Sequence, residues 1–144
     1  MVELNEALRI AEETAREVHK GQKRTIGEKE DYIEHLKRMV DKFSTPESKI
    51  VAWLHDVLED SELTPEDLIR KGIPNQLVES INTLTRKRDE GYLNYIIGIR
   101  NFHQAKIIKI ADLKDNLKDL PRGTLRDKYT MALYILENPV EEVW

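Results

Sequence analysis

Residues 105–120, AKIIKIADLKDNLKDL, decide the fold class of this chain. The four residues IIKI at 107–110 would suit a β-strand by themselves, but the apolar residues of the whole stretch recur at the three- and four-residue spacing of an α-helix. These residues are Ile107, Ile110, Leu113, Leu117 and Leu120. Because no other stretch offers a partner strand, we predict a helix that is closed by Pro121 and an all-α fold.

The same segment is apolar on two sides. Ile108 lies on the face opposite the main stripe, one turn before Asp112, and Asp112 lies one turn before Asn116. A helix that is apolar all round is normally covered by neighbours on both sides, so Asp112 and Asn116 are expected to face the interior. A buried carboxylate requires a partner.

The rest of the chain shows the same helical periodicity, interrupted only by short polar or proline-containing links. We predict a single domain over residues 1–144 with about six to eight helices. Ser44 and Glu47 are expected to form a capping box that opens one helix through about Asp60. The other expected helices span about residues 3–19, a segment that carries His35, residues 65–72, a segment after Pro74, residues 92–100 and residues 125–137.

Residues 49–60, KIVAWLHDVLED, hold a second polar cluster. In one continuous helix, His55 would stack over Glu59 and Asp56 over Asp60, on the arc that the apolar stripe leaves free. A solvated acidic face would explain this cluster as well. A divalent metal is the simplest partner for Asp112 that also uses the His-Asp pair, with His35 as the second imidazole.

Composition narrows the possible function classes. The chain has 144 residues, 23 basic and 27 acidic, with a formal net charge of −4 and no cysteine. Disulfides and thiolate metal sites are excluded, and the charge balance argues against a nucleic-acid partner. Without an apolar run of about 20 residues or a signal-like start, we expect a soluble, cytoplasmic protein with no membrane partner. The sequence leaves open whether it forms a homo-oligomer.

The order of His35, His55-Asp56 and Asp112 resembles the H…HD…D signature of the HD superfamily of metal-dependent phosphohydrolases, which have a helical fold. Five ordered blocks resemble one branch more closely, the hydrolase domain of RelA/SpoT-type alarmone enzymes and the small stand-alone (p)ppGpp hydrolases. The blocks are HKGQKR at 19–24, DYIEH at 31–35, WLHDVLEDS at 53–61, LTPEDL at 63–68 and KIADLKDNL at 109–117. The resemblance covers about residues 3–121.

The resemblance implies a site and a reaction. It implies a divalent metal, Mn²⁺, held by His35, His55, Asp56 and Asp112. It also implies that Glu59 and Asp60 orient and deprotonate the attacking water, that Asn116 contacts the nucleotide, and that Lys23 and Arg24 contact its phosphates. The implied activity is that of a guanosine 3′,5′-bis(diphosphate) 3′-pyrophosphohydrolase.

Three positions depart from this pattern. Glu17 and Val18 stand where alarmone hydrolases often carry a basic pair, and Asp119 stands where they have a threonine. Carboxylates close to an anionic ligand would weaken its binding, so we expect modest discrimination between bases. Two alternatives stay open, an HD phosphohydrolase of other nucleotides such as 5′-monophosphates, and a non-enzymatic HD-like module.

Overall fold

The computed structural model describes residues 2–27 and 29–138, and these residues form nine helices without a β-strand. The all-α prediction is confirmed. The helices are α1 (Val2–Val18), α2 (Tyr32–Val40), α3 (Pro46–Leu54), α4 (Val57–Asp60), α5 (Pro65–Lys71), α6 (Asn75–Thr83), α7 (Tyr92–Arg100), α8 (His103–Leu117) and α9 (Thr124–Glu137).

Helix α3 lies at the centre of the bundle. It packs against α1, α2, α6 and α8, and every residue from Ile50 to Leu54 is buried. Helix α8 contacts α2 and α3 on one hand and α7 and α9 on the other. Ile108 and Leu113 are both completely buried, so α8 is covered on two sides, as its two apolar faces predicted.

Local signals placed several helix ends well and two poorly. Helix α7 has the predicted bounds, and α5 ends at Gly72 in the left-handed conformation that favours glycine. The expected capping box at Ser44 is wrong, because the N-cap of α3 is Thr45, whose hydroxyl accepts a hydrogen bond from the Ser48 amide at 3.2 Å. Helix α8 ends at Leu117, one turn before the proline that was expected to close it.

The continuous helix expected through residues 49–60 is interrupted at its polar cluster. His55 and Asp56 form a turn between α3 and α4, so the predicted continuous helix is wrong. Asp56 still lies one helical turn before Asp60, whose amide donates to the Asp56 carbonyl at 3.0 Å. The His55 imidazole caps the end of α3, since its Nδ1 donates to the Ala52 carbonyl at 2.8 Å. With α3 and α4 counted as one interrupted helix, the described residues hold eight, within the expected range.

Within residues 2–27 and 29–138, each helix is either too short or too polar to span a lipid bilayer.

Candidate functional site

Three side chains from distant parts of the sequence converge at the centre of the bundle. His35 lies on α2, His55 lies in the turn between α3 and α4, and Asp112 lies on α8. Each offers one ligand atom within 4.8 Å of those of the other two, and all three residues are buried. Imidazole nitrogen and carboxylate oxygen at this separation form a suitable donor set for a divalent metal.

His55 shows most directly that a cation fits here. His55 Nδ1 donates to the Ala52 carbonyl, so Nε2 is the ring nitrogen that faces the site. This Nε2 atom is buried without a hydrogen-bond partner, 3.0 Å from Asp56 Oδ2 and 3.6 Å from Asp112 Oδ1. A buried ring nitrogen that faces two carboxylates needs a positive charge between them, supplied by a proton or by a metal ion.

Asp112 is held as an anion by its neighbours. Its Oδ1 lies 3.0 Å from His35 Nε2, and its Oδ2 accepts from Lys109 Nζ at 3.0 Å. Burial acts to raise the pKa of Asp112, but Lys109 and the two histidines outweigh burial and hold this pKa well below its usual range. Asn116, one turn further along α8, donates to Oδ1 at 3.3 Å.

Asp56 belongs to the same group of carboxylates but is partly open to solvent, with 23% of its side chain exposed. The hydroxyl of Tyr32 donates to its Oδ2 atom. Burial, and then repulsion from Asp112, raise the pKa of Asp56 well above its ordinary value. A cation between the two carboxylates would relieve this repulsion.

A polar cavity of about 290 Å³ opens beside these residues. It brings together most of the residues expected at the site, and it also contains five that the sequence did not suggest. The expected lining residues are Arg24, Asp56, Glu59, Asp60, Asp112 and Asn116, and the unexpected ones are Thr25, Ile26, Tyr32, Lys109 and Tyr129.

Glu59 and Asp60 sit at the outer edge of this cavity. Glu59 is exposed, and its Oε1 accepts from the Arg86 amide at 3.0 Å. Asp60 Oδ2 accepts from Gln22 Nε2 at 3.2 Å. The Nδ1 atom of the buried His19 ring lies 3.7 Å from the same oxygen, so His19 packs beside Asp60.

The two basic residues expected to contact phosphates have different surroundings. Lys23 is exposed, pairs with Asp31 at 2.5 Å and is not among the residues that line the cavity. Arg24 is buried and lines the cavity. Its guanidinium donates to Asp119 Oδ2 at 2.6 Å and to Asn116 Oδ1 at 3.1 Å.

Glu17 and Asp119, the two acidic departures from the alarmone-hydrolase pattern, differ in their surroundings. Asp119 is neutralised by Arg24, and Gly27 is packed so closely against it that a Cβ atom at Gly27 would lie 2.8 Å from Asp119 Cβ. Glu17 is exposed on α1 and does not line the cavity. Neither carboxylate presents a free negative charge among the lining residues.

Sequence reasoning missed Lys109 and Asp115, although both stand one turn from Asp112 on α8. A lysine inside the apolar run IIKI was a signal that this lysine is buried. Asp115 is completely buried and accepts from His35 Nδ1 at 2.6 Å, yet its surroundings come from residues far away in the sequence.

The chain is similar to two curated proteins named guanosine-3′,5′-bis(diphosphate) 3′-pyrophosphohydrolase. The protein from Vibrio cholerae is 32% identical over 135 residues, which cover 84% of this chain and 19% of that protein. The protein from Aquifex aeolicus is 30% identical over 126 residues, which cover 80% of this chain and 18% of that protein. This chain is a homologue of the SpoT-type alarmone hydrolases.

The resemblance found in the sequence is thus confirmed, and the chain spans about a fifth of the length of these two alarmone hydrolases. A solved structure of a metazoan ortholog of SpoT that hydrolyses ppGpp has the same fold, with a TM-score of 0.71 and 23% identity. The match covers 94% of this chain and 84% of that one. No protein-family model matches the chain.

Proposed function

We propose that this chain is a Mn²⁺-dependent hydrolase that removes pyrophosphate from the 3′ position of ppGpp. The observation that carries the proposal is the buried convergence of His35, His55 and Asp112, with a His55 Nε2 atom that lacks a hydrogen-bond partner. The names of the two bacterial relatives supply the substrate.

His35, His55 and Asp112 would hold the ion, and Asp56 would be the fourth ligand. Asp56 Oδ2 lies 3.0 Å from His55 Nε2, so a small side-chain adjustment brings it to the same centre. A divalent ion bound here would lower the pKa of a bound water and polarise a phosphoryl oxygen. Of these four ligands, only the two carboxylates would carry charge. Nitrogen and oxygen ligands of this kind suit a divalent ion that must also bind a phosphate oxygen.

Glu59 and Asp60 would orient the attacking water and take its proton. Both line the cavity and both are open to solvent on one side, so a proton accepted there can be passed to bulk water. The Arg86 amide and Gln22 each bind one oxygen of these carboxylates, Glu59 Oε1 and Asp60 Oδ2.

Arg24, Lys109 and Asn116 would face the substrate. Lys109 and Arg24 provide positive charge in a cavity that otherwise contains Asp56, Glu59, Asp60 and Asp112. Several donors of Arg24 are already engaged by Asp119, Glu30 and Asn116, so its direct grip on phosphate is limited. Modest discrimination between guanine and adenine stays a prediction for the assay below.

The test is a product analysis with purified protein, Mn²⁺ and one nucleotide at a time. We expect ppGpp to yield GDP and pyrophosphate, and the adenine analogue ppApp to yield ADP and pyrophosphate at a comparable rate. The Asp112→Ala variant, in the same assay, controls for contaminating hydrolases. Release of orthophosphate from nucleoside 5′-monophosphates, with ppGpp left intact, would contradict the proposal and favour the 5′-nucleotidase alternative.

A further inference from the structure

Asp115 is the most enclosed carboxylate among the described residues, with none of its side chain exposed. Its Oδ2 accepts from His35 Nδ1 at 2.6 Å. Arg38 donates to both carboxylate oxygens, from Nε at 2.9 Å and from Nη2 at 3.0 Å, and Lys118 Nζ lies 3.2 Å from Oδ1. A buried aspartate with this set of partners is fixed in one orientation.

We propose that Asp115 is a positioning residue that keeps the proton of His35 on Nδ1 and directs Nε2 to the metal site. This inference rests on the proposed metal-dependent function. It assigns a role to a residue that does not line the cavity and whose contact with the proposed ligands is through His35.

The partners of Asp115 determine which atom carries the proton in its contact with His35. Arg38 and Lys118 place positive charge against both oxygens of Asp115, so its carboxylate is the acceptor in these contacts. An ionised carboxylate can only accept, so the proton in the 2.6 Å contact belongs to His35 Nδ1. Nε2, 3.0 Å from Asp112 Oδ1, is the ring nitrogen on the side of the metal site, where a bound cation would take the place of its proton.

The two histidines of the site are held by different partners. His55 Nδ1 donates to a neutral backbone carbonyl, whereas His35 Nδ1 donates to a carboxylate. A carboxylate on the outer nitrogen makes the inner nitrogen a stronger donor to a metal, and loss of such a partner commonly weakens metal binding by about 10- to 100-fold. His35 should therefore be the stronger of the two imidazole ligands.

Asp115 also contacts Arg24, a residue that lines the cavity. Arg24 Nη2 donates to the Asp115 carbonyl oxygen at 3.1 Å and to its Oδ2 at 3.4 Å, and Arg38 also binds Glu30 at 2.5 Å. Glu30 provides a matched control, because it shares Arg38 and Arg24 with Asp115 but makes no contact with His35. If both acidic residues act only in folding, substitution of either should leave Mn²⁺ affinity unchanged. If Asp115 positions His35, only substitution of Asp115 should weaken Mn²⁺ binding.

The test compares Asp115→Asn, Asp115→Ala and Glu30→Gln with the wild type, without substrate. Mn²⁺ affinity is measured by the electron paramagnetic resonance signal of free Mn²⁺, and the melting temperature is measured in the metal-free state. We expect Asp115→Ala to weaken Mn²⁺ binding by about 10- to 100-fold. Asp115→Asn, which keeps an acceptor oxygen but loses the charge, should lie between this variant and the wild type. Glu30→Gln should match the wild type in Mn²⁺ affinity while it lowers the melting temperature.

Unchanged Mn²⁺ affinity in both Asp115 variants would overturn the inference, whatever happens to their melting temperatures. If Asp115→Ala does not fold, Asp115→Asn decides the matter, since it preserves the shape of the side chain. Failure of the wild type itself to bind Mn²⁺ would instead overturn the proposed metal site. The two failures are therefore distinguishable, because the readout is binding and does not depend on which nucleotide is hydrolysed.

Discussion

Lys109 places a buried positive charge beside the acidic residues of the cavity. Only 14% of its side chain is exposed, its Nζ lies 3.0 Å from Asp112 Oδ2, and it lies 5.5 Å from the ring centre of Tyr95. Burial acts to lower the pKa of Lys109, yet Asp112 and the nearby tyrosines and carboxylates raise it well above its ordinary value. The cavity therefore keeps a permanent cation among its acidic groups.

We predict that Lys109→Met separates metal binding from substrate binding. Mn²⁺ should bind at least as tightly as in the wild type, because a positive charge beside Asp112 has been removed. The KM for ppGpp should rise by about tenfold, since one charge-assisted contact to phosphate is lost. Lys114→Met, at an exposed position of the same helix, is the control and should leave both quantities unchanged. Weaker Mn²⁺ binding with an unchanged KM would show that Lys109 supports only Asp112.

We predict that Glu59→Gln and Asp60→Asn retain Mn²⁺ but lose hydrolysis. Each change removes the proton acceptor while it preserves size, and a general base commonly accounts for about 10²- to 10⁴-fold in rate. Turnover is measured with saturating Mn²⁺ and ppGpp, with the exposed Glu62→Gln as the control. Full turnover in both variants would leave the pair as a solvated acidic edge, the alternative that the sequence left open.

At the scale of single residues, the sequence predicted the ligands better than their surroundings. His35, His55 and Asp112 follow from residue type and spacing, and they do converge in the structure. The burial of Arg24 and its ion pairs could not be foreseen, because its partners Asp115 and Asp119 lie more than 90 residues away in the chain. Such pairings depend on how α8 packs beside the loop after α1, which periodicity does not specify.

At the scale of elements, the helices that carry their own start and stop signals were predictable. Helix α5 has a complete capping box between Thr64 and Asp67 and a left-handed glycine after its last turn. The break between α3 and α4 has no such signal, because the apolar pattern of residues 49–60 runs through it without interruption. Only the hydrogen bond from His55 to the Ala52 carbonyl shows where α3 ends.

The capping box of α5 gives a prediction about pH. The amide and hydroxyl of Thr64, and then Arg70, lower the pKa of Asp67 below its usual value. A carboxyl whose pKa is lower in the folded than in the unfolded state stabilises the fold above the unfolded pKa of about 3.9. That contribution disappears as the pH falls through the lowered pKa. Asp67→Asn should therefore reduce the free energy of unfolding at pH 7 but not at a pH below both values.

The measurement is urea unfolding of the metal-free protein across this pH range, with Thr64→Ala as the companion variant. Loss of the N-cap oxygen should lower the free energy of unfolding by about 1 kcal/mol. Because Thr64 does not titrate, much of this loss should persist at low pH. A difference between Asp67→Asn and the wild type that did not change with pH would rule out the charged form of Asp67 as its source.

At the scale of the whole molecule, α2, the α3–α4 turn and α8 meet only in the closed bundle. An ion that binds the native state alone raises the free energy of unfolding, by about 2.7 kcal/mol at a concentration of 100 Kd. We predict that Mn²⁺ raises the melting temperature of the wild type and has no such effect on Asp112→Ala. The exposed Asp127→Ala, a control on α9, should show the full rise. An equal rise in the Asp112→Ala variant would place the ion elsewhere.

His35 and Asp112 are 77 residues apart in the chain, and this separation has a consequence for biosynthesis. While the chain is being made, α2 and the α3–α4 turn leave the ribosome long before α8 does. Three of the four proposed ligands precede α8, and Asp112 joins them only when α8 has docked. The complete proposed site is therefore a property of the finished bundle, and the nascent chain would offer an ion only a partial set of ligands.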